Sequence, residues 1–490
     1  MKTDSRASAA ARRAACAALL AACAPAWLIL RYGVDVPYWD QWDLAPFFEK
    51  LARGTLTAAD LFAQQNEYRQ FFPNLLFVAL GSLTKWDVRY EMLAGLLLAC
   101  VAAFNVYRLG ARTAGEPPRR VVLFLAACAL LFSAVQYENW LFGVQVVYFV
   151  PAACVTAGLA SAYSERRGTR ACLLVCACLS AVATFSSANG VVCWLVLPVA
   201  LLAARPDARA SARRWLPLWG ACLALCVAAY AYGLKVPAAQ PGAAGVLSRP
   251  FDALAYFVAL SGGAFALGPR PLLTATVAGA CALAAYALAC AYVWKFRDDR
   301  ELLRRAGAWA ALGAYTVGTA ALVTAGRLGY GVAQSLSSRY TTYTLYLLVA
   351  LVYLLPCVFE HAARNGGRLT GHYAALRRAG AAAAVGLVLA QAVAFALVVR
   401  HGAVPARRAR LRAKACLLFV NVAPEERCLA NGLYADVSAL RERAASLDRL
   451  GYLRPPLVRG GEMRESAARG GCSEDYGSFA LSTDGGARVA

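Results

Sequence analysis

The chain has 490 residues, 60% of them hydrophobic and 16% charged, with a formal net charge of +22. Soluble domains are about 45–50% apolar, so this composition excludes a string of water-soluble domains. The excess Arg sits in short clusters between apolar runs of about 17–23 residues, a distribution that points to a polytopic membrane protein and away from nucleic-acid binding.

Arg12 and Arg13 precede an apolar run at 14–30. The run resembles a signal peptide but is longer than a usual signal core and has no clear small-x-small cleavage site. It reads as a retained first helix with a cytoplasmic N-terminus. The segment 33–87 follows and carries seven acidic and four basic residues, the opposite balance to the later loops. Basic loops recur at 108–120, 165–170, 205–214, 295–305 and 360–378, and all five are expected to be cytoplasmic. Spans that satisfy this lie at 14–32, 88–109, 121–137, 140–163, 171–186, 189–204, 215–234, 272–294, 306–325, 343–359 and 379–400, which makes about eleven crossings.

Two further apolar segments, 71–84 and 251–267, do not fit as spans, because either one counted alone would send the downstream Arg clusters to the outer face. They are expected to lie in the interface or re-enter the membrane beside a cavity. The alternative, in which both cross, makes thirteen spans. The expected fold class is therefore all-α: a polytopic transmembrane helical bundle over 1–400, with a helical first outer loop at 33–87 and a small polar C-terminal tail at 401–490. Arg407, Arg408, Arg410, Arg412 and Lys414 stand at the membrane end of that tail, against the charge rule if the tail faces outward.

Of the 17 Cys, all but three lie in or beside apolar segments, where Cys behaves as a small apolar residue. Cys416, Cys428 and Cys472 lie in the tail and allow one disulfide in an oxidising compartment. Three His residues and no Cys/His cluster in a loop argue against a zinc site.

The densest chemical candidate is Val36-Pro37-Tyr38-Trp39-Asp40-Gln41-Trp42-Asp43. On a helical turn the carboxylates of Asp40 and Asp43 share a face, as do the rings of Trp39 and Trp42. Aromatic surroundings raise a carboxylate's pKa and suit a general base. The bland alternative is an interfacial aromatic belt with an Asp cap. A second cluster, around Glu67, Tyr68 and Arg69, precedes the 71–84 segment; it offers an ion pair, an Arg for a phosphate, or only a solvated turn. A third holds Arg327 and Arg339 with Tyr340, among Gly and Ser residues. Arg forks match phosphate oxygens, and Tyr suits a lipid–water boundary, although Arg also snorkels without a ligand. Glu138 and Gln145, between two spans, are candidates for the same cavity. The turn Ser186-Ser187-Ala188-Asn189-Gly190 reads as a plain hairpin. No P-loop, GxSxG elbow or HExxH motif is present.

An N-terminal helix, a long outer loop with Asp among aromatics and about ten more helices together resemble the GT-C superfamily of membrane glycosyltransferases over most of the chain to residue 400. The segments Pro37-Tyr38-Trp39-Asp40-Gln41-Trp42-Asp43, Asn66-Glu67-Tyr68-Arg69 and Ser338-Arg339-Tyr340 look like those of a bacterial membrane-protein group near that superfamily. The resemblance implies a sugar moved from a polyprenyl-phosphate donor to a glycan or lipid acceptor on the outer face of a bacterial inner membrane. It implies Asp40 as catalytic base, with Asp43 second, and Arg339 and Arg327 on the lipid phosphate. The paired Asp-Glu frequent in that loop of the superfamily is absent here, which leaves a divalent cation open and names no other cofactor. A periplasmic tail follows from the same topology. Two other function classes fit the sequence: a transporter or flippase of lipid-linked saccharides, and a non-catalytic component of envelope polysaccharide assembly.

Overall fold

The computed structural model describes residues 2–66, 68–235, 244–365, 373–459, 480–481 and 487–488. It is an all-α polytopic bundle; the strand structure described is a pairing of Ala480–Leu481 with Ala487–Arg488. Each of the eleven expected spans is a helix. Among the described residues nine helices are long and apolar enough to cross a membrane. Two of the expected spans are shorter. Thr169–Thr184 has 16 residues and Val192–Ala204 has 13, with the tight turn Ala188–Val191 between them. Gly190 makes that turn possible: a Cβ there would lie 2.0 Å from the Ala183 backbone. The segments that did not fit as spans are also helices, Phe71–Thr84 with 14 residues and Pro250–Ser261 with 12, both short of a crossing.

The basic loops gather at one end of the bundle. Glu360 accepts from Arg119 at 2.5 Å and from Arg305 at 2.7 Å. Arg112 and Arg205 cap the end of Val146–Ala162 by donating to the carbonyls of Ala160 and Ala162, at 2.9 and 2.8 Å. These contacts satisfy carbonyls that a helix terminus leaves without intrahelical partners. In the middle of the bundle, close packing sets the helix spacing. The rings of Trp309 and Tyr353 stack with centroids 3.9 Å apart, and a Cβ at Gly110 would lie 2.9 Å from Tyr353.

The other end of the bundle carries the first loop, the 131–146 connection, the 327–338 connection and the C-terminal segment. The expected bundle boundary at residue 400 falls inside one helical run: Tyr373–Val398 continues through the π-turn Val399–Ala403 into Val404–Leu418. The chain then folds back as Glu426–Gly432 and Val437–Arg449. Leu429, Leu433, Leu440 and Leu447 are buried there. They bury the inner side of this otherwise polar segment against the first loop and fix it in place by the hydrophobic effect. A disulfide joins Cys416 to Cys428, one of the pairings the tail cysteines allow.

Candidate functional site

The loop after the first helix enters a 3-10 turn, Trp39–Leu44, that presents Asp40 to solvent and sends Trp42 into the core, where it is fully buried. A buried hydrogen-bond chain fixes this turn. The Tyr38 N–H donates to Gln41 Oε1 at 3.1 Å, and Gln41 Nε2 donates to Glu91 Oε2 at 2.6 Å. Trp86 Nε1 donates to the other oxygen of Glu91 at 2.9 Å. Trp39 has φ +47°, a left-handed conformation that a bulky side chain adopts only when its surroundings impose it. Its N–H donates to the carbonyl of Leu433 at 2.7 Å, so the C-terminal segment holds the strained residue directly before Asp40.

Asp43, three residues on, accepts from Tyr434 OH at 2.7 Å and from Arg443 Nη1 at 2.9 Å on one oxygen. Burial, and then the adjacent Asp43, push the Tyr434 phenol up, which keeps it a donor. Asp43 thus ties the first loop to the helix Val437–Arg449.

The 131–146 connection supplies the second wall. Asn139 Nδ2 donates to Thr342 Oγ1 at 2.6 Å and to the Arg339 carbonyl at 2.8 Å. Glu138 Oε2 accepts the Arg339 N–H at 3.1 Å. These contacts set the start of Ser338–Arg364. Arg339 Nε is buried with no hydrogen-bond partner, and the guanidinium lies 5.4 Å from the Tyr340 ring centroid. Arg327, at the end of Arg300–Arg327, donates from Nη2 to Tyr68 OH at 2.8 Å.

These elements enclose a cavity of about 620 Å³, within the range of about 300–1,000 Å³ usual for small-ligand sites. Asp40, Asp43, Glu138, Gln145, Arg327 and Arg339 all line it, as do Tyr340 and the half-exposed Trp39. Acidic groups of the first loop and guanidinium groups from the far side of the sequence thus face one space. A positive edge opposite a carboxylate suits a substrate that carries both an anion and an ionisable or hydroxyl group.

Two candidates stand elsewhere, and a third falls outside the described residues. The Arg69 guanidinium is buried and donates to the backbone carbonyls of Tyr230 at 2.8 Å, Phe62 at 3.0 Å and Tyr232. It ties Phe71–Thr84 to the end of Ala212–Ala231, because helix ends leave carbonyls that a planar fork can satisfy; it does not line the cavity. Trp42 is a core anchor rather than a wall. Glu67 lies outside the described residues.

Two groups of residues were not foreseen. Glu91 is wholly buried and anchors the Asp40 turn; it stands in the first turn of Arg89–Thr113, a few residues after Asp87. Arg410, Asn431 and Gly432 bring the C-terminal segment into the cavity wall. The Arg410 guanidinium donates to the Leu141 carbonyl and packs on the Tyr38 ring at 4.8 Å. The available signal was the cluster 407–414, which breaks the charge rule.

Among the described residues, the group of ligand-type side chains close enough to share an ion is Cys416, Glu425 and Cys428. Its two sulfurs are bonded to each other, so it does not fit a metal.

No family model matches the chain, and no curated protein matches its sequence. One solved structure, that of ArnT from Cupriavidus metallidurans in the apo state, is similar at 14% identity and a TM-score of 0.33. The match covers 73% of this chain and 79% of that one. A likeness this slight assigns neither a family nor an activity.

Proposed function

We propose that this chain is a membrane glycosyltransferase of the GT-C kind, moving a sugar from a polyprenyl-phosphate donor to a cell-envelope glycan or lipid acceptor at the outer face of a bacterial inner membrane. The observation that carries the reading is the shared cavity, in which Asp40 of the first loop and Arg327 and Arg339 of the late helices line one space. Its position at the end of the bundle opposite the basic loops supports outward access and a cytoplasmic N-terminus. The Cys416–Cys428 disulfide supports an oxidising, outer location for the C-terminal segment.

In this mechanism Asp40 takes the proton of an acceptor hydroxyl. The oxygen attacks the anomeric carbon as the bond from that carbon to the phosphate oxygen breaks, and the configuration inverts. The leaving lipid phosphate gathers charge, which Arg327 and Arg339 offset through preorganised donors. Tyr68 orients the first of these and Glu138 the backbone of the second. Asp43, held by Arg443 and Tyr434, is a positioning residue. No nucleotide is required, in keeping with a sequence that has no P-loop.

The test is Asp40→Asn in purified, reconstituted protein, assayed by transfer of labelled sugar from polyprenyl-phosphate donors. Transfer should disappear while the protein inserts and keeps its elution profile. Undiminished transfer removes Asp40 as the base. Transport of the labelled lipid across the bilayer without transfer, retained in the variant, would favour a flippase.

A further inference from the structure

The helix Val404–Leu418 has two faces with different neighbours. Ala406, Ala409 and Arg410 line the cavity described above. Arg407, Leu411 and Lys414 line a separate, open cavity of about 440 Å³. Residues 407, 411 and 414 are spaced by four and three, which puts them on one helical face. The opposite rim is built by Asp35, after the first helix, and by Asp87 and Arg89 at the start of Arg89–Thr113; Arg454 closes the side.

The charges in this second cavity do not cancel. Arg89 is engaged by Asp87, with Nε to Oδ1 at 2.8 Å and Nη2 to Oδ2 at 2.5 Å. Asp35 Oδ1 accepts the Val88 N–H at 3.3 Å. The side chains of Arg407, Lys414 and Arg454 make no hydrogen bond or ion pair among the described residues. Four cations therefore face two carboxylates; Lys414 lies in the field of both Asp35 and Asp87, and Arg407 and Arg454 make no ion pair among the described residues. This happens at the end of the bundle where charge patterning disfavours cations. Like charges gathered in an open cavity repel, weakly where water reaches them, and an anion that joins them relieves that repulsion. Arg offers a planar fork and Lys a point charge, the pair of donors that phosphate oxyanions take best.

We propose that this second cavity is a phosphate-oxyanion site, filled by the headgroup phosphate of an anionic lipid or by free phosphate. It is distinct from the Asp40 cavity and does not depend on the glycosyltransferase reading, because none of its residues lines that cavity.

The experiment uses the full chain purified in detergent, titrated separately with short-chain phosphatidylglycerol and with inorganic phosphate, and read by native mass spectrometry. The double variant Arg407→Gln/Lys414→Gln should bind the anionic probe about 30-fold more weakly, from roughly fivefold per cation near a membrane surface. Arg454→Gln, on an exposed loop, should lose roughly fivefold and serves if the double variant does not fold. Arg213→Gln/Arg214→Gln, on exposed positions among the basic loops, should bind as the parent does. A loss confined to phosphatidylglycerol assigns the site to a lipid headgroup, and a loss seen with inorganic phosphate alone assigns it to the free ion. Equal binding by parent and cavity variants, or an equal loss in the Arg213/Arg214 control, overturns the proposal.

Discussion

Gly143 tests whether the buried anchor beneath Asp40 sets the cavity. A Cβ at this position would lie 2.3 Å from Glu91 Oε2 and 2.8 Å from both Gln41 Nε2 and Glu91 Cβ. Ordinary packing requires these atoms to part by about 1 Å. Glu91 cannot swing away without giving up Gln41 or Trp86, and it is wholly buried. Gln41 directly follows Asp40, so the turn itself must yield. Gly143→Ala should therefore destabilise by about 1–3 kcal/mol, the usual range for overpacking. If the proposed chemistry holds, a shift of about 1 Å at the base should also lower transfer by about 100-fold. The assay is the unfolding midpoint in detergent, followed by intrinsic fluorescence, beside sugar transfer in reconstituted membranes. Gly168→Ala is the control, since a Cβ there meets nothing within 4 Å. A Gly143→Ala protein that unfolds with the Gly168→Ala midpoint would refute the claim that this site is closely packed and determines the turn.

Asp43→Ala and Arg443→Ala, measured singly and together, should show a coupling of about 1–2 kcal/mol, since the pair is well formed at 2.9 Å and mostly shielded, with 29% and 22% of the two side chains exposed; additive losses would mean that the bond contributes nothing. Burial and then Asp87 raise the Asp35 carboxyl above its usual 3.8. Its neutral form therefore favours the fold at low pH, and that stability is lost as pH rises through the raised value. Asp35→Asn should then raise the unfolding midpoint at pH 7 and give no gain near pH 3, whereas an equal gain at both would contradict the burial argument. Replacing Cys416 and Cys428 by Ser opens a loop with a sequence separation of 12, worth about 3 kcal/mol in the chain-entropy account. Limited proteolysis should then cut within 404–457 sooner, and unchanged protection would show that the leucine contacts alone hold this segment.

Much of the bundle is legible in the sequence because a bilayer imposes a simple rule. Backbone groups in hydrocarbon must be satisfied within the segment, so long apolar runs become helices. Nine of the eleven expected spans, the four shorter apolar helices and the basic loops follow from length and charge alone. Parts of the site were legible for a related reason. Polar and ionisable groups are rare in such a chain, so Asp40, Glu138, Gln145, Arg327 and Arg339 stood out, and all of them line the cavity. Arg69 and Trp42 stood out equally and point elsewhere. Sequence marks a residue as unusual but does not give the direction of its side chain, which depends on which helix ends and which core come to lie beside it.

The amino-acid sequence by itself determined the class of the molecule, its approximate helix positions and the segregation of basic loops, because these depend on local hydropathy and charge. Tertiary structure decided that residues 404–457 return over the first loop, that Glu91 and Gln41 hold the Asp40 turn, and that Arg410 joins the cavity wall. Those contacts join residues from 50 to 400 positions apart. No local pattern encodes such pairings. They arise when buried leucines, a disulfide and satisfied buried polar groups select one arrangement of helices that are individually stable in many.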